Sequence, residues 1–195
     1  MTGQAVPRRS DSTRAAILRA ARRRFADQGY ARATIRSIAA DADIDPSMVM
    51  RYYGSKDGLF DAALDIDLGL PDLSEVDDDA LGEALVRRFL ELWEPAPVAT
   101  DGAPGNDLLM ALLRSAVSDE SAAARARRIF AEQVMPMVLR TGDRADAPRR
   151  AGLVVTQILG FALCRYVLRL PEVVALSPAE IVTTVGATLQ RYLTS

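Results

Sequence analysis

The stretch DIDPSMVMRYYGSK, Asp43 to Lys56, decides how the chain folds. Asp45 is a residue type that caps helix N-termini, and Pro46 suits the first helical position, where its missing N–H costs nothing. With Val49 taken as the buried side, a rotation of about 100° per residue puts Tyr53 beside it. Ser47, Met50, Arg51 and Gly54 then point the opposite way. One outward face therefore mixes a hydroxyl, a thioether, a guanidinium and a glycine.

The neighbouring segments supply the frame for that helix. Upstream, an apolar stripe of Ile17, Leu18, Ala21 and Phe25 predicts a helix from about Thr13 to Asp27, with Gly29 as its stop. Thr34 caps a second helix with Ile35, Ile38 and Ala39 inward, ending near Ala42. The turn DADI leads into the helix from Asp45 to Tyr53, and a fourth helix opens at about Ser55. Three short helices, the last two joined by a tight turn, form the helix-turn-helix pattern. In that pattern the second helix of the pair enters the major groove of DNA. Ser47 can exchange hydrogen bonds with a base edge, Met50 can touch a thymine methyl, and Arg51 can reach a phosphate or a guanine. Thr34, Tyr52 and Lys56, at helix ends and flanks, suit phosphate contact. Arg8 and Arg9 on a leading arm would reach a minor groove.

Composition agrees with a protein that meets an anion at one end. Net charge over the 195 residues is −2, yet residues 1–60 carry 11 basic against 6 acidic side chains, and the remainder 13 against 20. A basic head on an acidic body results. Histidine is absent and Cys164 is the single cysteine, which excludes a disulfide framework, Cys/His zinc sites and every histidine-based triad. No metal or cofactor is expected. The leading residues MTGQAVPRRSDS carry no apolar signal region, so the expected compartment is the cytoplasm. The run GLVVTQILGFALC, Gly152 to Cys164, falls short of the roughly 20 apolar residues of a membrane span and reads as a buried or interface helix.

Beyond Leu68 the periodicity stays helical: ALGEALVRRFLELW, then segments at about 107–118, 120–139 with Pro136 kinking or ending the last turn, 149–169 and 178–193. A Pro/Gly-rich loop runs from Glu94 to Gly105. The expected fold class is all-α, with about nine helices. No carboxylate pair, glycine-rich phosphate cradle or base-activated nucleophile stands out, so an enzyme is not expected.

The segment AAILRAARRRFADQGYARATIRSIAADADIDPSMVMRYYGSKDGLF, about 46 residues, resembles the DNA-binding domain of TetR-family bacterial repressors. The resemblance rests on Phe25, Gly29-Tyr30, Thr34, Ile38-Ala39, Tyr52-Tyr53 and Gly54-Ser55-Lys56-Asp57. It implies base contacts from Pro46, Ser47 and Met50, and phosphate contacts from Thr34, Arg36, Arg51, Tyr52 and Lys56. Three positions depart from the pattern. Asp43 stands where a turn glycine is common, and Met48 and Met50 replace a frequent threonine and tyrosine. Hydrogen bonding to bases should therefore be sparse, leaving thymine contact and DNA shape to carry specificity.

The same resemblance implies a homodimer with a ligand-sensing helical body, and by symmetry a palindromic operator on double-stranded DNA. The implied organisation is a helix-turn-helix domain over residues 1–54, with 1–12 a flexible arm, and an effector-binding and dimerisation domain over 55–195. Gly152, Thr156 and Gly160 form a small-residue strip flanked by Val155, Leu159 and Leu163; Ile181, Val185 and Leu189 repeat at the same spacing. On spacing alone these positions serve a dimer or packing within one chain equally well; the resemblance favours the dimer. Phe89, Trp93, Met110, Leu113, Phe130 and Met137 suit an apolar pocket for a hydrophobic effector, with Arg114 and Glu132 adding polarity, and suit a plain core as well. The function expected is a ligand-released repressor. The other reading is a helical small-molecule-binding or interaction module without useful DNA binding.

Overall fold

Helix α1 runs from Arg9 to Arg32 in a computed structural model that describes residues 9–94 and 105–194. It begins four residues before Thr13, so part of the expected arm is helical; Asp11 in its first turn complements the positive helix end. Its path breaks at Gly29, where φ is 73°, a conformation open to glycine and costly for other residues. The stop expected there thus takes the form of a kink, with one more turn beyond it. Arg8 and residues 95–104 of the expected loop lie outside the described residues.

Short helices follow: α2 (Ile35–Asp41), α3 (Pro46–Tyr53) and α4 (Lys56–Ala63). An extended segment with one tight turn leads to α5 (Leu81–Trp93), and then come α6 (Gly105–Ser115) and α7 (Glu120–Ile129). The single helix expected over 120–139 is divided. After α7 the chain takes a wider π turn, Phe130–Val134, and resumes as α8 (Met135–Val138), which accommodates Pro136, a residue with no N–H to donate. Helix α9 (Ala147–Ala162) likewise ends in a π turn, Leu163–Val167. A short α10 (Pro171–Val174) lies between the segments expected to be helical, started by Pro171 at its first position, and α11 (Pro178–Thr194) closes the chain. Among the described residues there is no strand. The fold is all-α.

The described residues pack as two units: 9–65 with 105–123, and 66–94 with 124–194. In the first, Ile17, Phe25, Ile38, Val49, Leu59 and Phe60 are buried, as the α1–α3 stripes require. Phe60 meets Phe25 edge-on at 4.9 Å and Tyr30 at 4.7 Å. Arg22 Nε donates to the Ala63 carbonyl at 3.1 Å, satisfying an end of α4. Helix α6 packs along α1, and the Tyr30 N–H donates to Ser115 Oγ at 3.5 Å.

The second unit is built on the crossing of α5 and α11. A Cβ on Gly82 would lie 2.1 Å from the Gly186 carbonyl oxygen, so the two backbones touch. The Gly82 N–H donates to Gln190 Oε1 at 2.8 Å. Gln133, in the first π turn, donates to the Ile66 carbonyl at 2.7 Å and accepts from the Leu68 N–H at 2.8 Å, pinning the extended segment. Arg150 is wholly buried and works as a clamp between elements. Its guanidinium donates to the Leu193 carbonyl at 2.7 Å, Thr141 Oγ1 at 3.1 Å and the Asp143 carbonyl at 2.9 Å.

Candidate nucleic-acid interface

Local chemistry sets α3. The Asp45 carboxylate accepts the Ser47 N–H at 2.8 Å, and Pro46 opens the helix. The bonds from Ser47 hold the Asp45 carboxyl below the usual carboxylate range. The Gly54 N–H closes the far end on the Met50 carbonyl at 2.8 Å. Before α3, the turn places Asp43 at φ 54°, the left-handed conformation that an aspartate tolerates. The Ile44 N–H reaches back to the Ala39 carbonyl at 3.0 Å. Thr34 and Ser37 exchange hydrogen bonds at the start of α2, a reciprocal cap.

That framework aims the side chains as the rotation rule requires. Val49 is fully buried, while Pro46, Ser47, Arg51 and Met50 face outward, Met50 with 44% of its surface exposed. Met48 is half-buried and stands apart from the reading face. Thr34 and Arg36 are exposed on α2. Tyr52 is half-buried, with the Arg51 guanidinium carbon 5.5 Å from its ring centre and that of Arg14, from α1, 5.3 Å away. Arg14 is a basic residue of this surface that the sequence does not single out; its signal is tertiary, the approach of α1 to the end of α3.

Lys56 differs from the position that the resemblance gives it. Its ammonium lies over the Tyr30 ring at 4.2 Å and donates to the Ala31 carbonyl at 3.3 Å. Half-buried there, it is pushed below the usual lysine range by desolvation. Beside it the Tyr30 hydroxyl donates to the Asp57 carboxylate. Burial first, and then that bond, push the Tyr30 phenol up to about 12.

The expected pocket residues divide between the two units. Met110 and Leu113 belong to the first, both half-buried; Arg114 there is exposed and donates to the Ala26 carbonyl at 3.4 Å. Phe89, Trp93, Phe130 and Met137 belong to the second, where Phe89, Trp93 and Met137 are buried, and Glu132 is exposed. Two aromatics outside the expected set complete a ring cluster. Phe161 lies 5.8 Å from Phe89, and Tyr166 stacks on Trp93 at 4.9 Å and 8°. Tyr166 donates to Glu94 Oε1 at 2.9 Å, and Arg165 pairs with the same oxygen at 2.8 Å. Desolvation, reinforced by Glu94, raises the Tyr166 phenol.

The expected dimer residues also divide. On α9, Thr156, Leu159 and Gly160 are exposed, as is Leu163 in the π turn that ends it, and a Cβ on Gly152 or Gly160 would meet nothing within 4 Å. The helix with its π turn, Ala147–Val167, is long and apolar enough by composition to cross a membrane, and only 22% of that window is buried. On α11 the expectation is corrected. Ile181, Val185 and Leu189 are buried within the chain, on the inward side of a helix whose main neighbour is α5. The outer face of α11 carries Thr183, Thr184 and Ala187 instead. The hydroxyls of Thr183 and Thr184 bond their own helix carbonyls at 3.0 and 2.6 Å.

Comparison with known proteins places this architecture. Residues 17–63 match the model described as bacterial regulatory proteins, tetR family, and residues 79–193 match that of a tetracyclin repressor-like C-terminal domain. An HTH-type transcriptional repressor of Mycobacterium tuberculosis is 42% identical over 60 residues, 31% of this chain and 32% of the relative. The match thus spans about a third of the length of the curated relatives. A TetR-family regulator of Streptomyces coelicolor is 28% identical, with 99% of this chain and 100% of that one covered and a TM-score of 0.64. The multidrug binding protein EbrR, solved with imidazole, shares the fold at a TM-score of 0.70 and 22% identity, over 99% of this chain and 96% of its own. With the two family models together covering the head and most of the body, the chain belongs to the TetR family of bacterial regulators, proteins that are not enzymes.

Proposed function

We propose that the chain is a cytoplasmic homodimeric repressor that holds a palindromic operator and releases it when a hydrophobic small molecule binds the helical body. One observation supports this reading above all. The face of α3 that presents Pro46, Ser47, Met50 and Arg51 is bare, while Val49 anchors the opposite side. Apart from the cation–ring contact on Tyr52, the Arg51 guanidinium has no partner among the described residues. A capped, outward-facing helix of this kind fits the major groove, and exposed Thr34 and Arg36 fit the flanking phosphates.

The dimer surface in this proposal is the outer face of α9 with the outer face of α11. Gly152 and Gly160 leave room for close helix approach, and Leu159 and Leu163 supply apolar area that a second copy would cover. A two-fold dimer predicts inverted half-sites about one helical turn apart. For the effector, the Phe89, Trp93, Phe161 and Tyr166 cluster offers ring surface suited to a flat aromatic molecule. The structural relative EbrR has been solved with malachite green and with ethidium. Effector binding would favour a dimer state whose two α3 helices no longer match the half-site spacing.

The test uses the purified full chain and a duplex recovered by it from a random library. Log K should fall linearly with log salt, and Arg51→Ala should flatten the slope by about 1 per head. A salt-independent affinity, or an unchanged slope in Arg51→Ala, would contradict the proposal. Trp93 is the single tryptophan, so its emission reports ligands entering the second unit. A compound that shifts that emission should also weaken duplex binding.

A further inference from the structure

Tyr52 has two possible ways to serve a DNA surface: through its hydroxyl, which can bond a phosphate, or through its ring. The ring is already occupied. The guanidinium carbons of Arg14 and Arg51 lie 5.3 and 5.5 Å from its centre, inside the range of cation–π attraction. The two cations come from different helices, α1 and α3, and converge on one side chain. Their convergence is fixed from the backbone side as well, because the Tyr53 hydroxyl donates to the Arg14 carbonyl at 3.4 Å.

Neither guanidinium donates a hydrogen bond or forms an ion pair among the described residues. Several other basic side chains of this unit are committed. Arg24 pairs with Asp41, Arg22 bonds the Ala63 carbonyl and Lys56 bonds the Ala31 carbonyl. Two like charges drawn to one ring repel each other, and among the described residues neither forms an ion pair that would offset this. Planar guanidinium forks match phosphate oxygens, and a backbone phosphate would supply the missing negative charge.

We propose that Tyr52 acts through its ring face, as a platform that holds Arg14 and Arg51 together as ligands for the DNA backbone, and that Arg14 is a phosphate-contact residue. This rests on the reading that the head binds DNA. Tyr52 is then a positioning residue, and its hydroxyl is dispensable to that role. Because Arg14 belongs to α1, the platform also ties phosphate contact to the seating of α1 against α3.

The experiment measures affinity for the library-selected duplex against salt concentration, using the full chain, three single variants and one double variant. Arg14→Gln, an exposed neutral replacement, should lower the salt slope by about 1 per head. Tyr52→Leu should lower it too, and Tyr52→Phe should restore what Tyr52→Leu loses. In the Tyr52→Leu background, Arg14→Gln should have little further effect, the signature of coupled residues. Melting curves establish that each variant is folded. An Arg14→Gln slope equal to that of the unaltered chain overturns the inference and leaves DNA binding intact. A Tyr52→Phe slope as low as that of Tyr52→Leu assigns the contact to the hydroxyl and overturns the platform. A chain that recovers no duplex at all overturns the DNA-binding reading and this inference with it.

Discussion

In the proposed complex with DNA, Met50 is the residue on which specificity would turn. It stands 44% exposed on the outward face of α3, with Ser47 as the hydroxyl beside it on that face. A thioether cannot discriminate by strong hydrogen bonds, but it gains from burying a thymine methyl. Replacing the facing thymine by uracil removes one methyl, worth about 0.8 kcal/mol, and should weaken binding about fourfold. Strong discrimination for a G·C pair at that position would count against this role. Asp57 makes a second residue-level prediction. Its bonds with Tyr30, then Ser121, hold its carboxyl below the ordinary range. A lowered folded-state pKa means that its contribution is complete above about pH 4 and fades as pH falls through the lowered value. The melting difference between the unaltered chain and Asp57→Asn should therefore shrink from pH 7 towards pH 2. At this scale the sequence made Val49 and Met50 legible, because helical rotation alone separates them. The inward turn of Lys56 and the approach of Arg14 were not legible; each depends on a neighbour from another helix.

Helices α5 and α11 cross at Gly82 and Gly186, and Gly82 has no space for a side chain. Gly82→Ala sets a methyl against backbone, which cannot retreat as a side chain would, and should cost about 3 kcal/mol in a urea titration. Gly160→Ala provides the contrast. It faces open space on α9, so helix propensity alone should stabilise the isolated chain by about 1 kcal/mol. If the outer face of α9 seats a second copy, the same methyl weakens self-association, which sedimentation measures. An unchanged dimer constant would move the interface elsewhere. The small-residue strip of α9 was readable in advance. The inward side of α11 was not, since Ile181, Val185 and Leu189 have the spacing that either partner would use, and α5 settles the matter only in three dimensions. The π turns were equally hidden, for the stripes on either side of each are too short for a shift of phase to be read from them.

For the whole molecule, helix order and the head's charge were evident from sequence, and the ring cluster only in part. Phe89 and Trp93 fall on the apolar stripe of α5, whereas Phe161 and Tyr166 join them from the end of α9. In the proposed dimer, two α3 faces read DNA together. Sequencing the duplexes that the purified full chain retains from a random library tests it directly. The expected result is an inverted repeat with half-sites about one helical turn apart, or a small multiple of that, and loss of retention when one half is scrambled. Enrichment of no common sequence, or retention indifferent to scrambling, would contradict it.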